Sequence, residues 1–218
     1  KLVVVPFMAL FITGILTVTI IGPVAREIGN YIALIFKTLM LTPGLKYLGG
    51  FAFGLLYAPL VVTGLHHTFL AVDFQLIADP ALQGTMIWPM IALSNIAQSG
   101  AVAATYFIYK KDKKQESLSA SATISAWLGV TEPAMFGANL KYMYPFVAAI
   151  TASAVAGLIS ISFGVLASGV GIGGLPAILA IKAEYWPGYI LAMAVALFGS
   201  FFLTFAFKKI FDKKQEIK

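Results

Sequence analysis

The chain has 218 residues and a formal net charge of +6; it is 60% hydrophobic and only 11% charged, against about 25% charged residues in an ordinary soluble domain, which this composition excludes in favour of a membrane protein. Its lysines gather in short blocks at the ends of apolar segments, so the positive balance reports topology and excludes a nucleic-acid surface. With no cysteine, disulfides, thiolate metal ligation and a cysteine nucleophile are excluded as well.

About 20 apolar residues cross the hydrocarbon core as a helix, and the charge-free runs give the elements in order. Leu2 to about Gly22 is the first span, too long for a signal-peptide core and without a cleavage site. Arg26 to Lys46 mixes apolar and charged residues as an amphipathic interfacial helix or tilted span does. Tyr47 to Leu65 is uncharged and ends at His66-His67. The stretch from Phe69 to Gly84 is more polar, with Asp73, Gln75 and Asp79-Pro80, where the turn preferences of Asp predict loop or cap roles. The uncharged run from Pro80 to Tyr109 contains Trp88-Pro89 and the polar group Ser94, Asn95, Gln98 and Ser99, so it is expected to begin as a re-entrant arm and continue as a span, its polar residues joining helices. After Lys110–Lys114 comes the segment of Glu132, then an uncharged run from Tyr142 to Ile181 holding a span and a bend at Gly169, Gly171, Gly173, Gly174 and Pro176. Tyr185 to Phe207 is the last span, with Tyr185, Trp186 and Tyr189 as an interfacial belt, before the basic block that starts at Lys208.

Glu132 is the residue that most needs an explanation. It sits in the apolar stretch Ala126–Gly137, and an ionisable group at membrane depth usually faces a bundle interior or wet cavity on a substrate or ion path. Gly129, Pro133 and Gly137 interrupt a regular helix there, which is tolerated only where protein or a cavity surrounds the backbone. Both basic blocks belong on the cytoplasmic side by the positive-inside rule, so an even number of crossings separates them. The spans starting near Tyr142 and Tyr185 supply two, and the Glu132 segment must then return to its own side as a re-entrant hairpin. The competing reading pairs Glu132 with a lysine such as Lys141.

A carboxylate accepts at two oxygens and a neutral imidazole both donates and accepts, a combination suited to a polyol. Tyr57, Phe69, Trp127 and Phe136 are available to cover the C–H faces of a pyranose. One of His66 and His67 is the expected partner of Glu132, since adjacent residues of a regular helix diverge by about 100°. The pair lacks the i, i+4 spacing of a zinc helix, so no metal is expected. A glycosidase pair would need Asp73 opposite Glu132, and an ion-coupled carrier is the other use of a buried Glu.

Several stretches together resemble a known family: Gly64-Leu65-His66-His67, the run from Ala71 to Leu76, the run from Trp88 to Gln98, and Leu128-Gly129-Val130-Thr131-Glu132-Pro133-Ala134-Met135-Phe136-Gly137 with Asn139-Leu140-Lys141. They resemble enzyme IIC, the membrane domain of the bacterial phosphoenolpyruvate:sugar phosphotransferase system, whose signature is Gly-(Ile/Val)-Thr-Glu. The stretch from Tyr57 to Phe146 and the bend from Gly171 to Ile178 look most like the trehalose branch of the glucose and sucrose group.

The resemblance implies an all-α membrane protein, a bundle of transmembrane helices with two re-entrant hairpins, in the bacterial cell membrane. It covers residues 1–218 as the C-terminal, substrate-carrying half of the domain; the N-terminal scaffold half and the enzyme IIB domain are absent, and Lys1 is the candidate boundary. The implied function is a permease that binds a glucoside, trehalose first, and carries it inward for phosphorylation, an enzyme only together with enzyme IIB and its phosphorylated cysteine. The alternatives are an ion-coupled sugar carrier or a sucrose, β-glucoside or glucose permease. The family's signature residues fall on Glu132, orienting and deprotonating a sugar hydroxyl, and on Thr131, with its functional histidine at His66 or His67. No cofactor is implied; the partners are the sugar, enzyme IIB, the scaffold half and the bilayer, with a homodimeric parent.

Overall fold

A computed structural model describes residues 4–216, and side chains between 5 and 213; Lys1, the candidate boundary, and Leu2 lie outside the described residues. Among these the protein is mostly helical, its only β contacts being two isolated backbone bridges, and five of its helical segments are long and apolar enough to cross a membrane. It is an all-α, multi-pass membrane bundle.

The first two predicted elements are one. Helix α1 (Val4–Leu16) passes through a π turn (Thr17–Ile21) into α2 (Gly22–Leu41) without a break. The π turn absorbs Pro23: the Gly22 amide reaches back to the Thr17 carbonyl, and the ring sits in the first turn of α2, where its missing N–H costs least. The amphipathic expectation holds for α2, whose Gly29, Ala33, Phe36 and Met40 form one buried stripe. Phe36 meets Phe53 of α3 (Lys46–Thr63) and Phe69 of α4 (Thr68–Ala78), both in edge-to-face packing at 5.2 and 5.8 Å.

Helix α3 lies against α9 (Tyr144–Ser162) through small residues. A Cβ on Gly54 would run into the Ser153 carbonyl, and one on Gly157 into the Gly50 carbonyl, so this close antiparallel contact exists only with glycine at these places. The centre of the bundle is α5 (Ile87–Ile108), buried along most of its length. The expected re-entrant arm before it is absent: Pro80–Met86 is a turn and loop, and Pro89 fits inside the first turn of one continuous helix. The last span runs through α10 (Trp186–Ala194), a π turn (Val195–Gly199) and α11 (Ser200–Glu216). Trp186 is partly exposed and its Nε1 donates to the Ile181 carbonyl at 3.0 Å, but Tyr189 turns into the core and leaves the expected belt.

Between α5 and α9 the chain folds back on itself. Helix α6 (Lys113–Trp127) runs in, and α7 (Glu132–Ala134), a π turn (Met135–Asn139) and α8 (Leu140–Tyr142) run out. The two mouths of this hairpin meet: Tyr109 and Tyr142 stack at 4.3 Å, Tyr144 Oη donates to Tyr109 Oη at 3.1 Å, and Lys141 Nζ donates to Gln115 Oε1 at 2.9 Å. Phe211 lies 6.2 Å from Tyr144, which brings the second basic block to the same end. The 15 residues of α6 carry the hairpin tip about 22 Å away from that end.

This shared end predicts that cysteines introduced at Lys111 and Lys213 of the cysteine-free chain react with an impermeant maleimide from the same face of the membrane. Labelling from opposite faces would refute the arrangement.

Candidate functional site

The tip is built by a helix stop. Asp112 caps α6 at its start, accepting from the Lys114 and Gln115 amides at 3.1 and 3.2 Å. At the other end Gly129 adopts φ +94° and the chain closes a Schellman motif, with Gly129 N–H donating to the Ala126 carbonyl and Val130 N–H to the Ser125 carbonyl, both at 3.0 Å. Pro133 then restarts the chain as the short return helix, with Thr131 buried just before it and Glu132 exposed at its first position. The return arm is anchored to α5 by Asn139 Nδ2, which donates to Gln98 Oε1 at 2.7 Å and to the Gln98 carbonyl at 3.1 Å. Met135 packs against Ala58 of α3 and Phe146 of α9.

The second bend is irregular up to Gly174 and then forms a 3-10 helix (Leu175–Ala180). Its two ends lie side by side: Ser168 N–H donates to the Ala180 carbonyl at 2.8 Å and Lys182 N–H to the Leu166 carbonyl at 3.0 Å. Ala167 also exchanges both backbone bonds with Thr85, at 2.8 and 2.9 Å. The glycine-rich stretch between these ends reaches the first tip. A Cβ on Gly129 would lie 2.8 Å from Gly173, and one on Gly174 would overlap the Trp127 carbonyl. Two predicted interruptions thus touch through glycines.

Helix α3 ends at Gly64, in the left-handed region at φ +79°, and a single 3-10 turn (Leu65–His67) follows. The sequence reading expects adjacent imidazoles to diverge, but this turn is not α-helical, and the His66 and His67 rings lie 4.0 Å apart and tilted by 37°. Both line one cavity of about 120 Å³, together with Tyr57, Asp73 and Trp88. His66 is half-buried and its Nδ1 has no partner among the described residues. Burial pushes its pKa below the ordinary histidine value and the neighbouring His67 adds to that, while the charge of Glu132 and the Leu60 carbonyl pull the other way. The ring is therefore poised as a neutral donor and acceptor.

Glu132 does not line this cavity, yet it lies close enough for its charge to act on Tyr57 and His66. It has no hydrogen bond or ion pair among the described residues, and Lys141 is engaged by Gln115 and the Tyr142 ring. The ion-pair reading of Glu132 is thereby removed. Thr131 stands beside it with no side-chain bond.

Of the polar group on α5, Gln98 joins helices through Asn139, while Ser99 donates back to the Ile96 carbonyl of its own helix; Thr105, outside that group, makes a second link, its hydroxyl 2.9 Å from that of Ser119. Asp79 has the expected turn role, accepting from the Ala81 amide at 2.8 Å. The aromatic expectations divide. Tyr57 lines the cavity and Phe136 is exposed, but Phe69 is fully buried between Phe36 and Phe53, and Trp127 faces a separate apolar groove along α5, α6 and α11.

Asp73 is the residue that sequence reasoning undervalued. It is fully buried, and its Oδ1 accepts from Thr85 Oγ1 at 2.5 Å and from the Trp88 amide at 3.0 Å, so it caps the start of α5 from another helix. The period of α4 held the signal, since Phe69, Val72, Asp73 and Leu76 form its buried face.

The model of the family described as "Phosphotransferase system, EIIC" matches residues 1–153. The chain is 46% identical over 213 residues to the trehalose-specific EIIBC component of Bacillus subtilis, covering 98% of this chain and 44% of that protein. It is 48% identical over 203 residues to the trehalose-specific EIIBC component of Escherichia coli, covering 93% and 42%, and 43% identical over 200 residues to the sucrose-specific EIIBC component of Vibrio alginolyticus, covering 91% and 41%. The chain thus spans less than half the length of these relatives. No solved structure matches it.

Burial pushes the Asp73 carboxyl up to about 6 against the hydrogen bonds from Thr85 and Trp88, so the folded chain holds this proton more tightly than the unfolded one. Its contribution to stability is full below the unfolded pKa near 4 and is lost as pH rises through about 6. The difference in thermal midpoint between the wild type and Asp73→Asn in detergent should accordingly shift in favour of the variant between pH 4 and 7. A pH-independent difference would show that Asp73 does not titrate in this range.

Proposed function

The chain belongs to the EIIC family of the phosphotransferase system, and from that premise we propose that it is the substrate-carrying half of an EIIC domain, binding a disaccharide glucoside, trehalose in the first place, for inward transport and phosphorylation. What carries the reading is the unpaired Glu132 carboxylate at a glycine-turned tip, within electrostatic reach of a neutral imidazole on a small polar cavity. Such a carboxylate bridges neighbouring hydroxyls of a sugar, and the adjacent imidazoles donate and accept. The hairpin from Lys113 to Tyr142 is the re-entrant element, with its tip at the depth of the substrate, and the glycine bend around Gly173 is the second.

In this reading the carrier works with a scaffold half that makes the homodimer and with an EIIB domain and its phosphocysteine, in keeping with the EIIBC names of the longer relatives. Transfer forms a phosphorus–oxygen bond to the sugar hydroxyl and breaks the phosphorus–sulfur bond, leaving the cysteine thiolate. Glu132 orients the hydroxyl and takes its proton. A phosphoryl transfer asks the protein chiefly for such positioning and charge stabilisation. Phosphorylation then retains the sugar inside.

Two measurements on the complete EIIBC polypeptide test this. Glu132→Gln, which keeps the size of the side chain but cannot accept at both positions, should reduce trehalose uptake at least about a hundredfold at normal membrane yield. Wild-type uptake would remove Glu132 from the site. Labelled trehalose should accumulate as its phosphate; free labelled sugar inside the cell would favour an ion-coupled carrier, the other chemistry that an unpaired membrane carboxylate serves.

A further inference from the structure

Asp73 is the one acidic side chain that is fully buried among the described residues, and its capping role uses half of it. Oδ1 accepts from both Thr85 Oγ1 and the Trp88 amide, while Oδ2 is buried with no partner. A cap of this kind needs a single acceptor atom, so the second oxygen is left unexplained, and a buried acceptor without a donor is unfavourable. It is not alone. Two other residues that line the same cavity carry buried polar atoms without partners, Trp88 Nε1 and His66 Nδ1.

Together these are an acceptor, a donor and a ring nitrogen of either kind. An anion would be repelled by the carboxylate, and a cation would meet the indole N–H. Hydroxyl groups, which donate and accept at once, complement all three. The cavity of about 120 Å³ is well below the roughly 300–1,000 Å³ of sites that enclose a drug-sized ligand, so it takes one ring at most rather than a whole disaccharide. Tyr57 and Trp88 provide aromatic surface for the C–H face of that ring.

We propose that Asp73 is a substrate-binding residue, whose free oxygen, with Trp88 and His66, holds the glucosyl ring that is not phosphorylated while the other ring lies at Glu132. The inference rests on the glucoside-carrier reading given above. It makes Asp73 a determinant of disaccharide recognition, separate from the chemistry at Glu132, and gives the cap a second purpose: the same carboxylate fixes the start of α5 and reads the sugar.

The test is a binding cycle on the complete protein in detergent, with trehalose and its four symmetrical dideoxy analogues, each lacking the same hydroxyl on both rings, as probes. Asp73→Asn should weaken trehalose roughly tenfold to a hundredfold. One deoxy analogue that binds poorly to the wild type should bind Asp73→Asn no worse, because the hydroxyl and the carboxylate are partners. Thr85→Val, which removes a donor to Oδ1 but leaves Oδ2 in place, should keep most of the affinity. Additive losses for every analogue would leave a water-filled cavity only, and a Thr85→Val variant as weak as Asp73→Asn would leave a cap only; either result overturns the proposal. A wild type that binds no glucoside would overturn the carrier reading itself, and is told apart because it appears before any substitution.

Discussion

Every interruption of a helix in this bundle must satisfy the backbone groups it frees within the protein, because lipid offers them nothing. The architecture follows from the ways in which that requirement is met. At Gly129 the two carbonyls released at the end of α6 are taken by the Schellman turn. At Ala167 an extended segment borrows partners on both sides, Thr85 on one and the backbone of Ala180 and Lys182 on the other. At the start of α5, the amide of Trp88 is taken by Asp73 from a different helix. Each solution leaves a non-helical or polar feature inside the bundle, and these features surround the candidate site.

Glycine is what lets these pieces come close. The contact of α3 with α9 depends on Gly50, Gly54 and Gly157, and the contact between the two tips depends on Gly129, Gly173 and Gly174. The first fixes a pair of spans by backbone packing, which is how helices associate where apolar side chains gain little from leaving lipid. The second joins two turns with no side chain between them.

The electrostatics of the site divide between its two carboxylates. Glu132 is exposed and has no hydrogen bond or ion pair among the described residues. Asp73 is buried and half-satisfied, and it shares its cavity with His66, whose pKa burial pushes down. Two acids in such different surroundings are suited to different work: Asp73 caps the start of α5, while Glu132 is left free of polar partners among the described residues.

The sequence by itself determined the membrane class and the later spans, because charge placement and apolar run length act locally or through the bilayer; the structure adds that the chain folds back around Glu132, so that the two ends of the hairpin meet. It also pointed to Glu132, since a lone carboxylate among apolar residues is visible without any neighbour. Tertiary structure decided what depends on distant partners. The first span and the amphipathic segment proved continuous because a π turn absorbs Pro23, a backbone adjustment with no compositional mark. Phe69 was withdrawn into the aromatic core and Tyr189 from the surface belt, as packing required. His66 and His67 converged because Gly64 turns left-handed and leads into a 3-10 turn. Asp73 reads in the sequence as a loop or cap acid, and it is a cap; only the fold brings Thr85 and Trp88 to it, across 12 and 15 residues, buries it in the middle of α4 and leaves its second oxygen free.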